Sequence, residues 1–205
     1  MGNVYYGWLE VALEEYRSLR QESIASMQMQ QSSLTFGTAT VGLVLSAGLS
    51  VWDRPFLPEM VFLILIPAFV SLTLLIWAGE VARMFRVGRF IADVESKING
   101  VVGLSVAALA WENWLARPRP DGRTAHSVLR PLYVAVYLLF VLMDLVSVAL
   151  GVAHVWRAWP RVLVNTTIAC EFMVLVGVVY LSLRMTTRVT RQWREITPNP
   201  IFRQP

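Results

Sequence analysis

The chain has 205 residues, of which 56% are hydrophobic and only 16% are charged. Ordinary soluble domains carry roughly 25% charged residues, so this composition is typical of an integral membrane protein. The net charge is +4, and Lys97 is the only lysine among 18 basic residues. A single cysteine, Cys170, lies in an apolar segment, which excludes a disulfide framework and a cysteine-based metal cluster.

The opening segment, over about residues 9–52, predicts one long helix that begins in water and ends in lipid. Residues 23–52 contain neither a charged residue nor a proline. In the first half, helical spacing separates an apolar from a polar face. The apolar face comprises Trp8, Leu9, Ala12, Leu13, Tyr16, Leu19, Ser23 and Met27. At about 1.5 Å per residue the helix is roughly twice as long as a bilayer core, so its first half is expected in the cytosol.

Four apolar segments predict four membrane-spanning helices, at 34–52, 60–79, 131–152 and 161–183. Pro67 is expected to kink the second of them. The fold class is therefore predicted as an all-α integral membrane protein with four transmembrane helices and long cytosolic helical extensions. The expected organisation is a cytosolic amphipathic helix (1–33), two transmembrane helices (34–79), a cytosolic extension with an interfacial helix and an Arg/Pro loop (80–130), two more transmembrane helices (131–183) and a basic cytosolic tail (184–205).

The helix of the second span is expected to continue beyond Trp77 into a charged segment, where Glu80, Arg83, Arg86 and Arg89 recur every three residues. This extension is predicted to pair with the first half of the opening helix as an antiparallel hairpin. Fifteen of the 18 basic residues lie in the N-terminal segment, in 80–130 and in the C-terminal segment. Because basic residues favour the cytosolic side, both termini and the middle segment are expected in the cytosol.

Two sets of residues are candidates for a functional site. The first span carries a stripe of small and polar residues that either packs closely against another helix or lines a narrow aqueous path. This stripe consists of Thr35, Thr38, Gly42, Ser46 and Ser50. The arginines of the predicted hairpin either bind a phosphate-containing ligand or meet anionic lipid headgroups. They are Arg17, Arg20, Arg83, Arg86 and Arg89.

Asp144 and Glu171 lie inside the third and fourth predicted spans. An ionisable group in lipid is costly unless it faces the protein interior, water or a partner. One interpretation is that the two carboxyl groups belong to an ion path, a selectivity element or a proton-coupled group. The other is that they are held by hydrogen bonds to Asn165, Thr166 or Ser147, or lie near the outer interface. The two histidines, His126 and His154, are expected on opposite sides of the membrane, and no metal-binding or catalytic motif occurs. Neither a metal site, nor a cofactor, nor enzymatic activity is expected.

The segment from Glu15 to Ile24 reads Glu-Tyr-Arg-Ser-Leu-Arg-Gln-Glu-Ser-Ile and is followed by glutamines and a membrane span. It resembles a family of small bacterial four-span membrane proteins, in which a Tyr-x-x-Leu-Arg-x-Glu-Ile helix leads into the first span. The resemblance covers most of residues 14–115. It includes Trp77 at the end of the second span, Val81-Ala82-Arg83, Val87-Gly88-Arg89-Phe90-Ile91 and Trp111-Glu112-Asn113-Trp114-Leu115.

Some proteins of that family look like the membrane effectors of anti-phage operons, including the Hailong type. In those systems a nucleotidyltransferase makes short deoxyadenylate oligomers that hold an oligomeric channel shut, and loss of the ligand opens it. The resemblance thus implies a channel in the bacterial inner membrane, gated by a cytosolic nucleotide or oligonucleotide. It also implies an operon-encoded nucleotidyltransferase as a partner.

A chain of 23.1 kDa can hardly enclose a water-filled pore alone, so the channel is expected to be a homo-oligomer, as a tetramer. In this hypothesis the stripe of the first span lines the pore and the five arginines bind the ligand. The alternative is a membrane scaffold or sensor that binds a partner protein through its cytosolic helices. This alternative predicts a heteromeric complex and no ion flux.

Overall fold

The computed structural model describes residues 2–102, 109, 111, 125–156 and 159–194, and every regular element in these ranges is helical. The elements are α1 (Gly2–Ser50), α2 (Leu57–Glu59), a π-helix (Met60–Leu65), α3 (Ile66–Val102), α4 (Ala125–Val155) and α5 (Arg161–Arg194). The predicted all-α fold is confirmed for this part of the chain. The predicted Arg/Pro loop (117–123), most of the interfacial helix and the end of the tail lie outside the described residues.

Four helical stretches in the described ranges are long and apolar enough to span a membrane. They are Gly7–Ser50, Leu57–Val102, Pro131–Val155 and Arg161–Met185. Between 11% and 39% of their most apolar windows is buried within the chain. Most of this apolar surface is therefore left for lipid or for other chains. The protein has the helices of a membrane protein.

The long continuous helices confirm the predicted continuity of the opening helix and of the second span. α1 runs without interruption to Ser50, and α3 continues through the charged segment to Val102. Likewise, α5, the helix of the fourth predicted span, extends to Arg194. The helix of the third span, α4, begins at Ala125 and contains Pro131, while its membrane-length apolar stretch begins at Pro131, where the span was predicted. Proline lacks only its own backbone N–H, and the residues before Pro131 remain helical here.

Two compact units divide the chain, and several helices contribute to both. The hairpin unit comprises Met1–Gln28, Glu80–Pro131 and Thr186–Pro205. The span unit comprises Met29–Gly79 and Leu132–Met185. Each has its own packing and is described separately.

The hairpin unit pairs the first half of α1 with the second half of α3. Ala12 is buried against Val94 and Ile98, with partly buried apolar residues around them. These are Leu9, Leu13, Tyr16, Leu19, Val102 and Leu109. The partners of α1 move backward along α3, from Glu95 opposite Tyr16 to Arg83 opposite Glu22. The predicted antiparallel hairpin is thus confirmed as a packing arrangement.

The predicted apolar face of α1 needs one correction. Trp8 is 41% exposed and Met27 is 52% exposed, whereas Ser26 is buried. The Ser26 hydroxyl lies 3.1 Å from the backbone carbonyl of Glu80 and 2.9 Å from its carboxylate. Ser26, and not Met27, therefore lies at the contact between α1 and α3. Its side chain is short enough for the helices to approach closely, and two acceptors lie within its reach.

Close contacts at glycines position the helices of the span unit. Gly37 faces the side chain of Thr73, and Gly48 faces Val61 and Phe62. A Cβ atom on Gly48 would lie 2.7 Å from Val61 Cγ1, which leaves no room for alanine. Small residues of this kind let helices approach closely where lipid provides no hydrophobic driving force between them.

The π-helix explains how the second span accommodates Pro67. Its hydrogen bonds join residues five apart, as from the N–H of Ile66 to the carbonyl of Val61. The next bond of this series would reach the carbonyl of Phe62 from residue 67, but proline has no N–H to donate. Ser147 of α4 supplies the missing donor, since its hydroxyl lies 2.6 Å from that carbonyl. The segment before Pro67 is thus a π-helical turn in which a neighbouring helix donates to the carbonyl of Phe62, and the predicted kink stays a prediction.

Candidate functional site

The five predicted ligand-binding arginines do not form one cluster. Arg83 lies between two carboxylates: its Nη2 is 3.0 Å from Glu22 Oε1, and its Nη1 is 3.9 Å from Glu80 Oε2. The contact with Glu22 joins α3 to α1, and both side chains are exposed to nearly half of their surface. Exposed ion pairs of this kind contribute little to stability, so a competing anion can replace Glu22 at low cost.

Arg20 belongs to a different, more buried arrangement. Its Nη2 lies 3.7 Å from Oε1 of Glu95, whose side chain is completely buried. Tyr16 donates its hydroxyl hydrogen to the same carboxylate oxygen at 3.4 Å, while Arg20 Nε donates to the Tyr16 oxygen at 3.2 Å. The guanidinium also lies 5.5 Å from the Tyr16 ring centroid and 5.8 Å from that of Trp111. Arg20 therefore compensates a buried charge, and this role is structural.

The remaining three predicted arginines differ in exposure. Arg17 is exposed and its Nη1 lies 3.4 Å from Glu14 Oε2 on the outer face of α1. Arg89 is half-buried. Arg86 is exposed and forms no ion pair within the described part of the chain. Arg17, Arg83 and Arg86 are consequently the three of these arginines that are exposed enough to meet an external anion.

A shallow groove of about 170 Å³ runs along one side of the hairpin unit. Trp8, Val11 and Phe90 line it with exposed apolar surface, and Glu15 and Lys97 add charges of both signs. Lys97 Nζ lies 2.7 Å from Asp93 Oδ2. The hydrogen bond and the charge of Asp93 raise the pKa of Lys97 above its ordinary value, so Lys97 stays cationic throughout the neutral range.

The polar stripe of the first span lies on the surface of the single chain. Thr35, Gly42, Ser46 and Ser50 are exposed, and Thr38 is half-buried. The helix packs instead through its glycine face, at Gly37, Val41 and Gly48. The hydroxyls of Thr38 and Ser50 donate to carbonyls of their own helix, at 2.7 Å in each case. Four of the five stripe residues are thus exposed on the single chain, and both predicted roles of the stripe stay predictions.

Asp144 is buried in the span unit, and Glu171 is half-buried close enough to interact with its charge. Of the three hydrogen-bond partners considered from the sequence, Asn165 is exposed, and the hydroxyls of the other two donate elsewhere. Ser147 donates to Phe62, and Thr166 donates to the carbonyl of Val162 in its own helix. Within the described residues, the hydroxyls of Ser147 and Thr166 thus do not serve as the partners of Asp144 that the sequence suggested.

A further cluster of three residues was not apparent from the sequence. His154 Nε2 lies 3.6 Å from Glu59 Oε1, and the rings of His154 and Trp52 make an edge contact with centroids 4.8 Å apart. These residues are separated by up to about one hundred positions, and no motif connects them. The only sequence signal for this cluster was that all three residues lie at the loop ends of neighbouring apolar segments.

Metal binding has no support in the described ranges, where no group of three or more histidine, cysteine, aspartate or glutamate residues could hold an ion. The candidate site therefore consists of two parts, each within one unit. One is the exposed basic surface of the hairpin unit around Arg83 and Arg86. The other is the exposed polar stripe of the first span.

Comparisons with family models, with curated proteins and with solved structures found no match to this chain.

Proposed function

We propose that this protein is a homo-oligomeric membrane channel, expected as a tetramer, whose pore is lined by the polar stripe of the first span. It is gated by a cytosolic nucleotide or oligonucleotide, and it acts as an effector of anti-phage defence in the bacterial inner membrane. A single-stranded deoxyadenylate oligomer and an operon-encoded nucleotidyltransferase are the partners that this proposal requires.

The observation that carries the proposal is the exposure of Thr35, Gly42, Ser46 and Ser50 in an otherwise apolar helix. Exposed polar groups are rare in lipid-facing helices, because the bilayer core offers them no partner. The glycine face already packs inside the chain, so the stripe is left for another copy or for water. In a ring of copies with the stripe directed inward, the stripe meets both neighbouring copies and water.

The ligand part of the proposal rests on Arg83 and Arg86. A phosphate that binds Arg83 displaces Glu22, and this contact joins two helices that both continue into apolar, membrane-length segments. Binding of the ligand thereby changes a contact between α1 and α3. Because α1 continues without interruption from this contact into the polar stripe, it is the proposed link between ligand and pore.

The test is single-channel recording of the purified chain in planar bilayers, with and without short deoxyadenylate oligomers. Current is expected without the oligomer and a lower open fraction with it. Ser46→Leu is expected to lower the conductance at least severalfold, because it adds an apolar side chain to the pore wall. Leu43→Val changes a neighbouring exposed apolar residue and is expected to leave the conductance unchanged.

Ligand binding is measured separately, as the salt dependence of oligomer affinity. Arg83→Gln and Arg86→Gln are each expected to weaken binding and to reduce the salt slope by about one. Arg54→Gln removes the same charge from the exposed loop after α1 and serves as the control. Absence of current at every oligomer concentration contradicts the channel, whereas equal affinities of all three variants contradict the ligand site.

The groove of the hairpin unit supports the second candidate, a scaffold or sensor for a partner protein. Trp8, Val11 and Phe90 expose apolar surface there, and aromatic residues are frequent in the centres of protein interfaces. This candidate is favoured if the chain purifies in a stoichiometric complex that Phe90→Glu disrupts while no current is recorded.

A further inference from the structure

The groove of the hairpin unit exposes apolar side chains from both of the helices that form it. Trp8 and Val11 of α1 and Phe90 of α3 line the groove, and all three are exposed. A single exposed apolar residue is ordinary on a protein surface, but a contiguous apolar patch with polar residues at its rim is typical of an interaction site. The groove is therefore a candidate surface for another protein chain.

The charges of the groove are divided between the two helices. Glu15 of α1 and Lys97 of α3 line the same groove and are both exposed. Lys97 Nζ also lies 2.7 Å from Asp93 Oδ2, but an ammonium group has three N–H donors, so it can bind a further carboxylate. The groove thus carries a carboxylate on its α1 side and an ammonium on its α3 side.

We propose that this groove is a self-association surface, at which the hairpin units of two copies of the chain pair about a two-fold axis. The occupant of each groove is the α1–α3 face of the other copy. In a two-fold contact the same surface is used by both copies, and each pairing of unlike residues occurs twice. The surface must therefore be complementary to itself.

The membrane-length helices select the orientation of that axis. Both α1 and α3 continue into apolar stretches long enough to span a membrane, and copies of a membrane protein insert in a single orientation. The two-fold axis that relates two such copies runs along the membrane normal, the direction in which these helices extend. When two groove faces meet across this axis, α1 of one copy lies opposite α3 of the other, at an unchanged level.

This exchange of helices brings opposite charges together. Glu15 of one copy comes opposite Lys97 of the second copy, and the reverse contact is identical. Phe90 likewise comes opposite the α1 side of the other groove, where Trp8 and Val11 are exposed. The division of charge between the two helices is the observation that favours a second copy over an unrelated partner, because it makes the groove complementary to itself.

The test exchanges the two charges. The full chain is reconstituted in phosphatidylcholine vesicles as C-terminal fusions to donor or acceptor fluorescent proteins, and self-association is measured by energy transfer as lipid is added. Glu15→Lys and Lys97→Glu are each expected to lower the association constant about fivefold or more, since each replaces two attractive pairs by two repulsive ones. A mixture of the two variants is expected to recover most of the loss, because unlike copies again pair opposite charges.

The matched controls lie on the outer face of α1. Glu14 and Arg17 form an exposed ion pair there, with 3.4 Å between Oε2 and Nη1. Glu14→Lys and Arg17→Glu make the same changes in net charge and are expected to leave association unchanged. Val11→Glu is a further variant at an exposed position of the groove, and it is expected to weaken association while circular dichroism shows the wild-type helix content.

Equal association constants of the wild type, Glu15→Lys and Lys97→Glu overturn the pairing, as does a mixture that associates no better than either variant alone. Capture of a different protein that both variants abolish, with self-association unchanged, also overturns it and assigns the groove to that partner. The pairing goes beyond the proposed channel, which makes no use of the groove. The charge pattern without current contradicts only the channel, and current without the charge pattern contradicts only the pairing.

Discussion

The hairpin unit and the span unit both pack long helices, but they do so through different side chains. In the hairpin unit the seam between α1 and α3 carries polar contacts, such as Glu95 with Arg20 and Ser26 with Glu80. In the span unit the close contacts are made at glycines, and one hydroxyl caps one backbone carbonyl. Both outer surfaces expose large apolar side chains, such as Phe36 and Leu43 in the span unit and Val11 and Phe90 in the hairpin unit. The hairpin unit differs because exposed charged side chains such as Arg17 lie beside them.

This difference is the one expected of helices in two different solvents. Lipid tails are as apolar as leucine, so helices gain little by burying leucine and gain more from close backbone approach. In water, burial of apolar side chains stabilises the packing of helices, and charged side chains at the edge of the contact stay solvated. The proposed placement of the span unit in lipid and of the hairpin unit in water would produce such a difference. Three pairs of variants test the difference in packing.

The largest effect is expected from Arg20→Met. It removes the guanidinium that lies 3.7 Å from the fully buried carboxylate of Glu95 and should cost about 3 kcal/mol of unfolding free energy. Arg17→Met removes an exposed arginine of the same helix and should cost less than about 0.5 kcal/mol. Thermal unfolding followed by circular dichroism measures both. Equal losses in the two variants would show that the seam does not depend on this buried pair.

A smaller effect is expected in the span unit from Gly48→Ala. The added methyl group meets Val61 and Phe62 and should cost about 1–3 kcal/mol, as overpacking generally does. Gly42→Ala is the matched control, because a Cβ atom at that position meets nothing within 4 Å. The same unfolding measurement compares the two. If Gly42→Ala were the more harmful variant, the assignment of the packing face would be wrong.

The smallest effect is expected from Ser147→Ala, which removes the donor from the carbonyl that Pro67 leaves unpaired. Hydrogen bonds between membrane helices are worth about 0.6–1.7 kcal/mol, and the loss should fall in that range. Ser50→Ala removes a hydroxyl that donates only within its own helix and should be nearly neutral. A neutral Ser147→Ala combined with a harmful Ser50→Ala would contradict the capping role.

Periodicity and composition were sufficient to predict the helices and the pairing of α1 with α3. The charged repeat from Glu80 to Arg89 continues a helix because nothing in it breaks one, and the structure has a single helix there. Ser26 was missed because hydropathy counts a serine as polar, whereas its size and two acceptors decide its position.

The functional side chains were harder to predict, since a spacing pattern shows which residues share a face but not what that face meets. The five arginines share a spacing, yet Arg20 neutralises a buried glutamate while Arg86 is exposed. Similarly, Gly42 and Gly48 both belong to the apolar half of α1, and only Gly48 makes a close contact. The pairing of Glu59 with His154 depends on two loops whose geometry no periodicity encodes.

The π-helix before Pro67 has a consequence for changes in chain length. A π-helical turn holds one residue more than the α-helical turn that it replaces. Deleting one residue from 60–65 would restore α-helical spacing and rotate everything before it by about 100° relative to α3. Glu59 would then leave His154, and Ser147 would no longer face the carbonyl that proline orphans. The number of residues between Glu59 and Pro67 is thus constrained by two contacts, that of Glu59 with His154 and that of Ser147 with the carbonyl, whatever side chains lie between them.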